Sequence, residues 1–222
     1  MEQRSSYTSA GEASVLQTNK VLRNTYMLLA MTLTFSAVCA GIAMSMGLGR
    51  GTAMMMSLGA LVMIFFLNKA AQSSMGILFV FVFTGLLGAS LGPMLNHYAG
   101  FPGGSGVILQ AFGTTALVFF GLSGYVLTTK KDFSFMGGFL LVGLIVAVVA
   151  SIANIFLGIP ALSLAVSAAI VFIMSGFILY DTSRIINGGE TNYIRATVSM
   201  YLNIYNLFTS ILHLLGIFGS DD

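Results

Sequence analysis

The acidic residue Asp181 stands alone at the end of a long apolar segment. From Phe133 to Tyr180 there are 48 residues without Asp, Glu, Lys or Arg, and Asp181 follows directly. If this segment crosses a membrane, its carboxyl group could bind a cation or take up and release a proton. It could equally be a structural ion-pair partner of Arg184, which lies three residues further along the same helix. The residues alone leave both interpretations open.

A second set of polar residues lies near the C-terminal end of the chain. Five of them recur at spacings of 4, 3, 4 and 3, which places them on one stripe of a helix: Ser199, Asn203, Asn206, Ser210 and His213. Polar groups in hydrocarbon need hydrogen-bond partners, so this helix must be shielded from lipid by other helices. The stripe could line a hydrated cavity or an ion path, or it could only join helices through hydrogen bonds.

The composition shows which kind of protein must position these residues. The chain has 222 residues, of which 57% are hydrophobic and only 7% are charged, against roughly a quarter charged in an ordinary globular protein. An integral membrane protein is therefore predicted. A net charge of +2 confined to the connections gives no support for nucleic-acid binding. Two distant histidines and one cysteine form no catalytic or metal constellation, so neither an enzyme nor a cofactor is expected.

The charge-free runs give the number of membrane spans. They contain 26, 18, 60, 48 and 25 residues, and a spanning helix needs about 20. The two longest runs are interrupted, one by Pro93 and the Pro-Gly-rich stretch 101–106, the other by Gly158-Ile159-Pro160. Seven helices are predicted, at 26–49, 52–68, 75–95, 107–128, 134–157, 161–186 and 194–218. Residues 1–24 would form a flexible cytoplasmic tail, and residues 25–222 the seven-helix transmembrane domain.

The distribution of lysine and arginine predicts the orientation. An odd number of spans puts the two chain ends on opposite sides of the membrane. The side that holds the N-terminus carries eight basic residues, and the other side carries Arg50 alone. Cytoplasmic connections are the basic ones, which predicts a cytoplasmic N-terminus and a C-terminus, with Asp221 and Asp222, outside. The eight residues are Arg4, Lys20, Arg23, Lys69, Lys130, Lys131, Arg184 and Arg195.

Several motifs resemble those of the Bax inhibitor-1 (transmembrane Bax-inhibitor-motif) family. They are the run from Gly188 to Ala196, the run from Ser199 to Phe208, and Leu179-Tyr180-Asp181 at the end of the sixth helix. The segments 20–26, 116–120 and 125–129 are similar to the bacterial inner-membrane branch of that family. The resemblance extends from Lys20 to Phe218, and chance similarity among apolar helices would not reproduce the sequence Gly-Gly-Glu-Thr-Asn-Tyr-Ile-Arg-Ala.

The resemblance implies an all-α membrane fold in which the other six helices enclose the polar seventh. It also implies two functions of different kinds. Members of the bacterial branch bind and restrain the membrane AAA protease FtsH, for which the cytoplasmic tail would offer a handle. Other members are pH-sensitive calcium leak channels. The expected partners are therefore membrane lipids, an FtsH-type protease, and Ca²⁺ or other cations.

One position departs from the pattern of the channel members. Those proteins carry one aspartate on the sixth helix and another on the seventh; Asp181 matches the first, while the second falls on Asn203. An Asp–Asn pair offers fewer anionic oxygens to a hard cation such as Ca²⁺, and it should titrate as a single group. This substitution weakens the calcium-leak interpretation. Arg184 and Lys69 are the candidates for the basic group that the family places near the pair.

Overall fold

The computed structural model describes residues 2–218, with side chains described from Leu16 to Ile217. Met1 and residues 219–222, and with them Asp221 and Asp222, lie outside the described residues. Over the described part the chain is helical and contains no strand. The helices are α1 (Glu2–Ser45), α2 (Arg50–Ala70), α3 (Met75–Ser90), α4 (Gly92–Ala99), α5 (Gly104–Thr129), α6 (Gly137–Leu157), α7 (Pro160–Ile186) and α8 (Tyr193–Phe218).

Within this part of the chain, seven segments are long and apolar enough to cross a membrane, which confirms the predicted all-α membrane fold. The first is Leu16–Ser45 and the last is Tyr193–Ile217. The helix that contains the first span begins at Glu2 rather than at residue 26, and it ends at Ser45, before the predicted residue 49. Gly47 follows with a φ of 63° and turns the chain. The flexibility of residues 1–24 stays a prediction.

The third span consists of two helices, α3 and α4, and a single residue, Leu91, separates them. Pro93 lies in the first turn of α4, where a proline is tolerated because it needs no backbone donor. Pro93 therefore interrupts the span without reversing the chain, and the span continues to Ala99 rather than ending near residue 95. The reversal comes at Gly103, which has a φ of 74°.

The turn between α6 and α7 lies at the predicted interruption Gly158-Ile159-Pro160, and two other helices end at residues with positive φ. Gly158 ends α6 with a φ of 61°, and Pro160 occupies the first turn of α7. Lys130 ends α5 in the left-handed conformation, with a φ of 53°, and its backbone N–H bonds to the carbonyl of Val126. Gly188 follows α7 with a φ of 75°, a helix stop of the kind that glycine favours.

Helix α8 packs mainly against α7, α5, α1 and α3. Its fully buried side chains include Met200, Tyr201, Leu207 and Leu212. By contrast, most side chains of α2 and α6 are exposed, as expected for helices that face lipid. The polar helix thus has neighbours on several sides; its enclosure by all six other spans stays a prediction.

Candidate functional site around Asp181

Asp181 lies on α7, one and a half turns before its end, and faces α8. Only 7% of the residue is exposed. Its Oδ2 atom accepts hydrogen bonds from Ser199 Oγ at 2.6 Å and from Asn203 Nδ2 at 2.7 Å. Ser199 and Asn203 are four residues apart and therefore lie one above the other on the same face of α8. The structure thus brings together three residues that the sequence singled out.

The two residues after Asp181 continue the polar junction toward other elements. Thr182 Oγ1 lies 3.4 Å from Ser123 Oγ on α5. Ser183 Oγ accepts from the backbone N–H of Phe133 at 2.8 Å and donates to Asp132 Oδ1 at 3.3 Å. Residues 181–183 are all buried, and each points about 100° away from the previous one because of the helical repeat. Three consecutive side chains therefore join α7 to α8, to α5 and to the α5–α6 connection.

Asp132 is the acidic group of this connection, outside the spans. Hydrogen bonds from the Ser134 hydroxyl and from the Ser134 backbone N–H lower the pKa of Asp132 below its ordinary value. Desolvation raises the pKa and the hydrogen bond from Ser183 lowers it less strongly, so the two bonds from Ser134 determine the downward direction. The ionised form of Asp132 is thus the one that fastens the connection to α7. Sequence analysis missed this contact, although the polar run Asp181-Thr182-Ser183 after an apolar segment was a visible signal.

The structure places the two candidate basic residues differently. Arg184 Nη2 donates to the carbonyl of Gly189 at 2.9 Å and lies 3.9 Å from Glu190 Oε2. Its guanidinium also lies over the ring of Tyr180. Lys69 is exposed at the end of α2. Among the described residues, the hydrogen bonds of Asp181 go to Ser199 and Asn203, and no ion pair links Asp181 to either basic residue.

The polar stripe of α8 divides into two separate clusters. His213 bridges two other helices, with Nδ1 3.3 Å from Tyr98 Oη of α4 and Nε2 2.9 Å from Ser163 Oγ of α7. The step from Ser199 to His213 is 14 residues, about 21 Å along the helix, so this cluster is remote from Asp181. Between them, Asn206 donates to Leu202 of its own helix at 2.8 Å, and Ser210 is buried.

The neighbouring face of α8 carries two tyrosines with partners that the sequence did not reveal. Tyr201 Oη lies 2.6 Å from Ser36 Oγ of α1 and donates to the carbonyl of Thr84 in α3 at 3.2 Å. Tyr205 Oη lies 3.1 Å from Ser90 Oγ at the end of α3. Through these hydrogen bonds the two tyrosine hydroxyls join α8 to α1 and to α3. This face of α8 therefore acts as a hydrogen-bonded joint.

The chemistry available at Asp181 is that of one carboxylate with two neutral donors. Asn203 presents its amide nitrogen to Asp181, so a cation at this oxygen would have to displace that hydrogen bond. Within the described residues, no group of three or more His, Cys, Asp or Glu side chains comes together to hold a metal ion. Hard cations such as Ca²⁺ take six to eight oxygen ligands, and the protein side chains at this site supply few of them.

Comparison with known proteins identifies the family. The model of the family described as "Inhibitor of apoptosis-promoting Bax1" matches residues 18–220. The chain belongs to the Bax inhibitor-1 family. This confirms the resemblance carried by the motifs between Lys20 and Phe218, and most of the chain takes part in the match.

Proteins of several bacteria are similar to the chain over nearly its full length. A membrane protein of Vibrio cholerae is 55% identical over 208 residues, 93% of each chain. The modulator of FtsH protease YccA of Escherichia coli is 50% identical over 215 residues, 97% of each chain. A Pseudomonas aeruginosa protein is 46% identical over 222 residues, the whole of both chains. YccA is also named as an inner membrane protein in a second Escherichia coli strain.

Proposed function

We propose that this protein is an inner-membrane regulator that binds an FtsH-type AAA protease and modulates the turnover of membrane proteins. The observation that carries the proposal is the 50% identity to the modulator of FtsH protease YccA across 97% of both chains. The aligned region covers all seven spans, which supports a shared partner-binding surface wherever it lies.

The distribution of charge supports the orientation that this function needs. Among the residues with described side chains, Lys20, Arg23, Lys130, Lys131 and Arg195 lie at one end of the helices, whereas Arg50 lies at the other. The positive-inside tendency puts the first end, with the N-terminus, in the cytoplasm and the C-terminus outside. Residues 1–24 then extend from the side on which a cytoplasmic AAA protease acts. The many exposed apolar side chains of α2 and α6 support direct contact with membrane lipids.

The geometry at Asp181 supports a regulator more than a pore. Ser199 and Asn203 both donate to the one carboxylate oxygen, and together they fasten α7 to α8. Thr182 and Ser183 fasten the same turn to α5 and to the α5–α6 connection. A junction with this many partners fixes the position of α7 relative to its neighbours, and it supplies one negative charge for ions.

Binding and proteolysis are tested together with purified proteins. The full chain in detergent should retain FtsH on affinity resin, and its addition should slow FtsH degradation of a membrane substrate. A matched control is a variant that lacks residues 2–15 but keeps the first span, which separates tail binding from binding by the bundle. If the full chain neither retains FtsH nor changes the rate of degradation, the proposal is wrong.

A second candidate function is a proton-gated cation leak with Asp181 at its cytoplasmic side. The observation in its favour is the single carboxylate that lies within a span and is only 7% exposed, since ionisable groups inside membranes commonly mark ion paths. Asn203 and Arg184 would shape this site, and Lys69 would contribute charge from α2. Liposomes with an enclosed Ca²⁺ dye test it: a flux that is identical in wild type and Asp181→Asn at every pH excludes this mechanism.

A further inference from the structure

A cavity of about 350 Å³ opens where α1, α5 and α7 meet at the basic end of the bundle. Its polar lining includes Asn19, Lys130 and Asn187, and its apolar lining includes Leu22, Leu127 and Ile186. On each segment the polar residue lies nearer the basic end of the bundle than its apolar neighbour. Asn19 precedes Leu22 on α1, Lys130 follows Leu127 after α5, and Asn187 follows Ile186 after α7. This order of surfaces matches the boundary between lipid headgroups and hydrocarbon. Asp181, Ser199 and Asn203 are not part of the lining of this cavity.

The donors in the cavity suit a phosphate group. Lys130 is the charged residue of the lining, and a lysine ammonium binds phosphate as a point charge. Its neighbour Lys131 has a different partner: its Nζ atom donates a hydrogen bond to Tyr125 Oη at 3.1 Å. Asn19 projects from α1 and can add an amide donor. No acidic residue belongs to the lining described for this cavity.

The acceptors in the cavity suit an ammonium group. Helices α5 and α7 both end here, and the last carbonyls of a helix carry partial negative charge. The backbone hydrogen bonds of the two turns engage the carbonyls of Val126 and Ile185 but not those of the lining residues Leu127 and Ile186. Asn187 uses its Nδ2 atom to donate to Ser183 Oγ at 3.2 Å, which leaves its amide oxygen as an acceptor. Two helix C-termini would repel a purely anionic ligand.

We propose that this cavity binds the headgroup of a phospholipid that carries both a phosphate and a primary ammonium, as in phosphatidylethanolamine. The phosphate lies against Lys130 and Asn19, and the ammonium donates to the helix-end carbonyls and to the Asn187 amide oxygen. An acyl chain follows the wall formed by Leu22, Leu127 and Ile186 into the bilayer. This inference depends neither on protease binding nor on ion conduction.

The binding test uses the full chain in detergent micelles and mass spectrometry of intact protein–lipid complexes. Phosphatidylethanolamine should bind more tightly than phosphatidylcholine, whose quaternary ammonium has no N–H to donate, and more tightly than phosphatidylglycerol, which has no ammonium. All three lipids carry the same acyl chains. Soluble glycerophosphoethanolamine has the same headgroup chemistry and should bind far more weakly, because it cannot use the apolar wall.

Two neighbouring lysines provide a matched pair of variants. Lys130→Asn should weaken phosphatidylethanolamine binding roughly fivefold, the effect of one basic residue near a lipid phosphate. Asparagine tolerates the left-handed conformation at this position, so the helix end should persist. Lys131→Asn removes the same charge one residue away and should leave binding unchanged, while Lys130→Arg should preserve it. Asn19→Leu tests the same cavity from α1 and should also weaken binding.

Several results would overturn the proposal. These are equal affinity for the three lipids, a preference for phosphatidylglycerol, equal effects of Lys130→Asn and Lys131→Asn, or soluble glycerophosphoethanolamine binding as tightly as the lipid. Circular dichroism of each variant verifies that its helices remain folded. FtsH retention is measured on the same variants. A variant that loses lipid binding but still retains FtsH bears on the lipid site alone, so lipid binding and protease binding are tested separately.

Discussion

Asn203 of α8 donates its side-chain amide to Asp181 of α7 over 2.7 Å. Both residues are buried, at 6% and 7% exposure, and the Ser199 hydroxyl donates to the same carboxylate oxygen. An amide that donates to a carboxylate needs no shared proton and introduces no second charge. The asparagine therefore turns what could be a pair of titrating acids into a hydrogen-bonded clamp between two helices.

The clamp predicts a measurable coupling between the two residues. Asn203→Leu leaves Asp181 short of a donor in an apolar setting and should lower the free energy of unfolding by about 1–3 kcal/mol. Asp181→Leu in the same chain should recover part of the loss, since no buried carboxylate then remains. The measurement is a double-mutant cycle in detergent micelles. Additive effects of the two substitutions would show that they do not interact.

Asn203→Asp should make the stability of the protein depend on pH. Two carboxylates at this distance repel each other when both are ionised, so they are stable together only while they share a proton. We expect the Tm of this variant to fall as the pH rises from 5 to 8, relative to the parent at each pH. Asn206→Asp is the control, because Asn206 bonds to its own helix. An identical trend in the two variants would contradict the pairing.

The sequence predicted the number of spans, and the family resemblance paired the positions of Asp181 and Asn203. Hydrocarbon excludes charge, so the positions of the few charged residues mark where helices end, and the 3.6-residue period places Ser199 and Asn203 on one face. Asp181 and Asn203 lie similar distances from the same end of the bundle, so their depths allow a contact, but depth alone does not show which helices face each other.

The hydrogen-bond partners of the other polar side chains depend on how the helices pack, which the local sequence does not specify. The stripe on α8 is continuous in sequence, yet His213 bonds to α4 and to the start of α7, while Asn203 bonds to the end of α7. Which helix lies opposite each turn depends on crossing angles between helices. Arg184 was a candidate partner for Asp181, but the turn at Gly188 brings Glu190 and the Gly189 carbonyl to it instead.

Asp132 should stabilise the fold in a defined pH range. Because its pKa is lower in the folded chain than its ordinary value, the contribution is present above the unfolded pKa, about 3.9. It is lost as the pH falls through the folded pKa. Asp132→Asn should therefore lower the Tm at pH 7 and have little effect at the lowest pH that the protein tolerates. Ser134→Ala, which removes the principal hydrogen bond, should show the same trend to a smaller extent.

A thermal-shift series from pH 3 to pH 7 provides the measurement for Asp132. The control is Glu190→Gln, because Glu190 lies outside the α5–α6 connection and bonds to Asn192 and Arg184. If Asp132→Asn changes the Tm equally at pH 3 and pH 7, the hydrogen bonds to its ionised form do not stabilise the connection.

The contact between α1 and α3 should be sensitive to a single added methyl group. A Cβ atom on Gly88 would lie 2.3 Å from the backbone carbonyl oxygen of Ser36, so the backbone of α1 or α3 would have to shift. Gly88→Ala should therefore destabilise the protein by about 1–3 kcal/mol. It should also disturb the Ser36–Tyr201 hydrogen bond of 2.6 Å, which depends on the same approach of α1.

Gly121→Ala is the matched control on α5, where a Cβ would meet nothing within 4 Å. Alanine favours helix over glycine by roughly 1 kcal/mol, so Gly121→Ala should leave the Tm unchanged or raise it. Equal losses in the two variants would contradict the prediction, because the loss at position 88 would then not come from the close approach of α1 and α3.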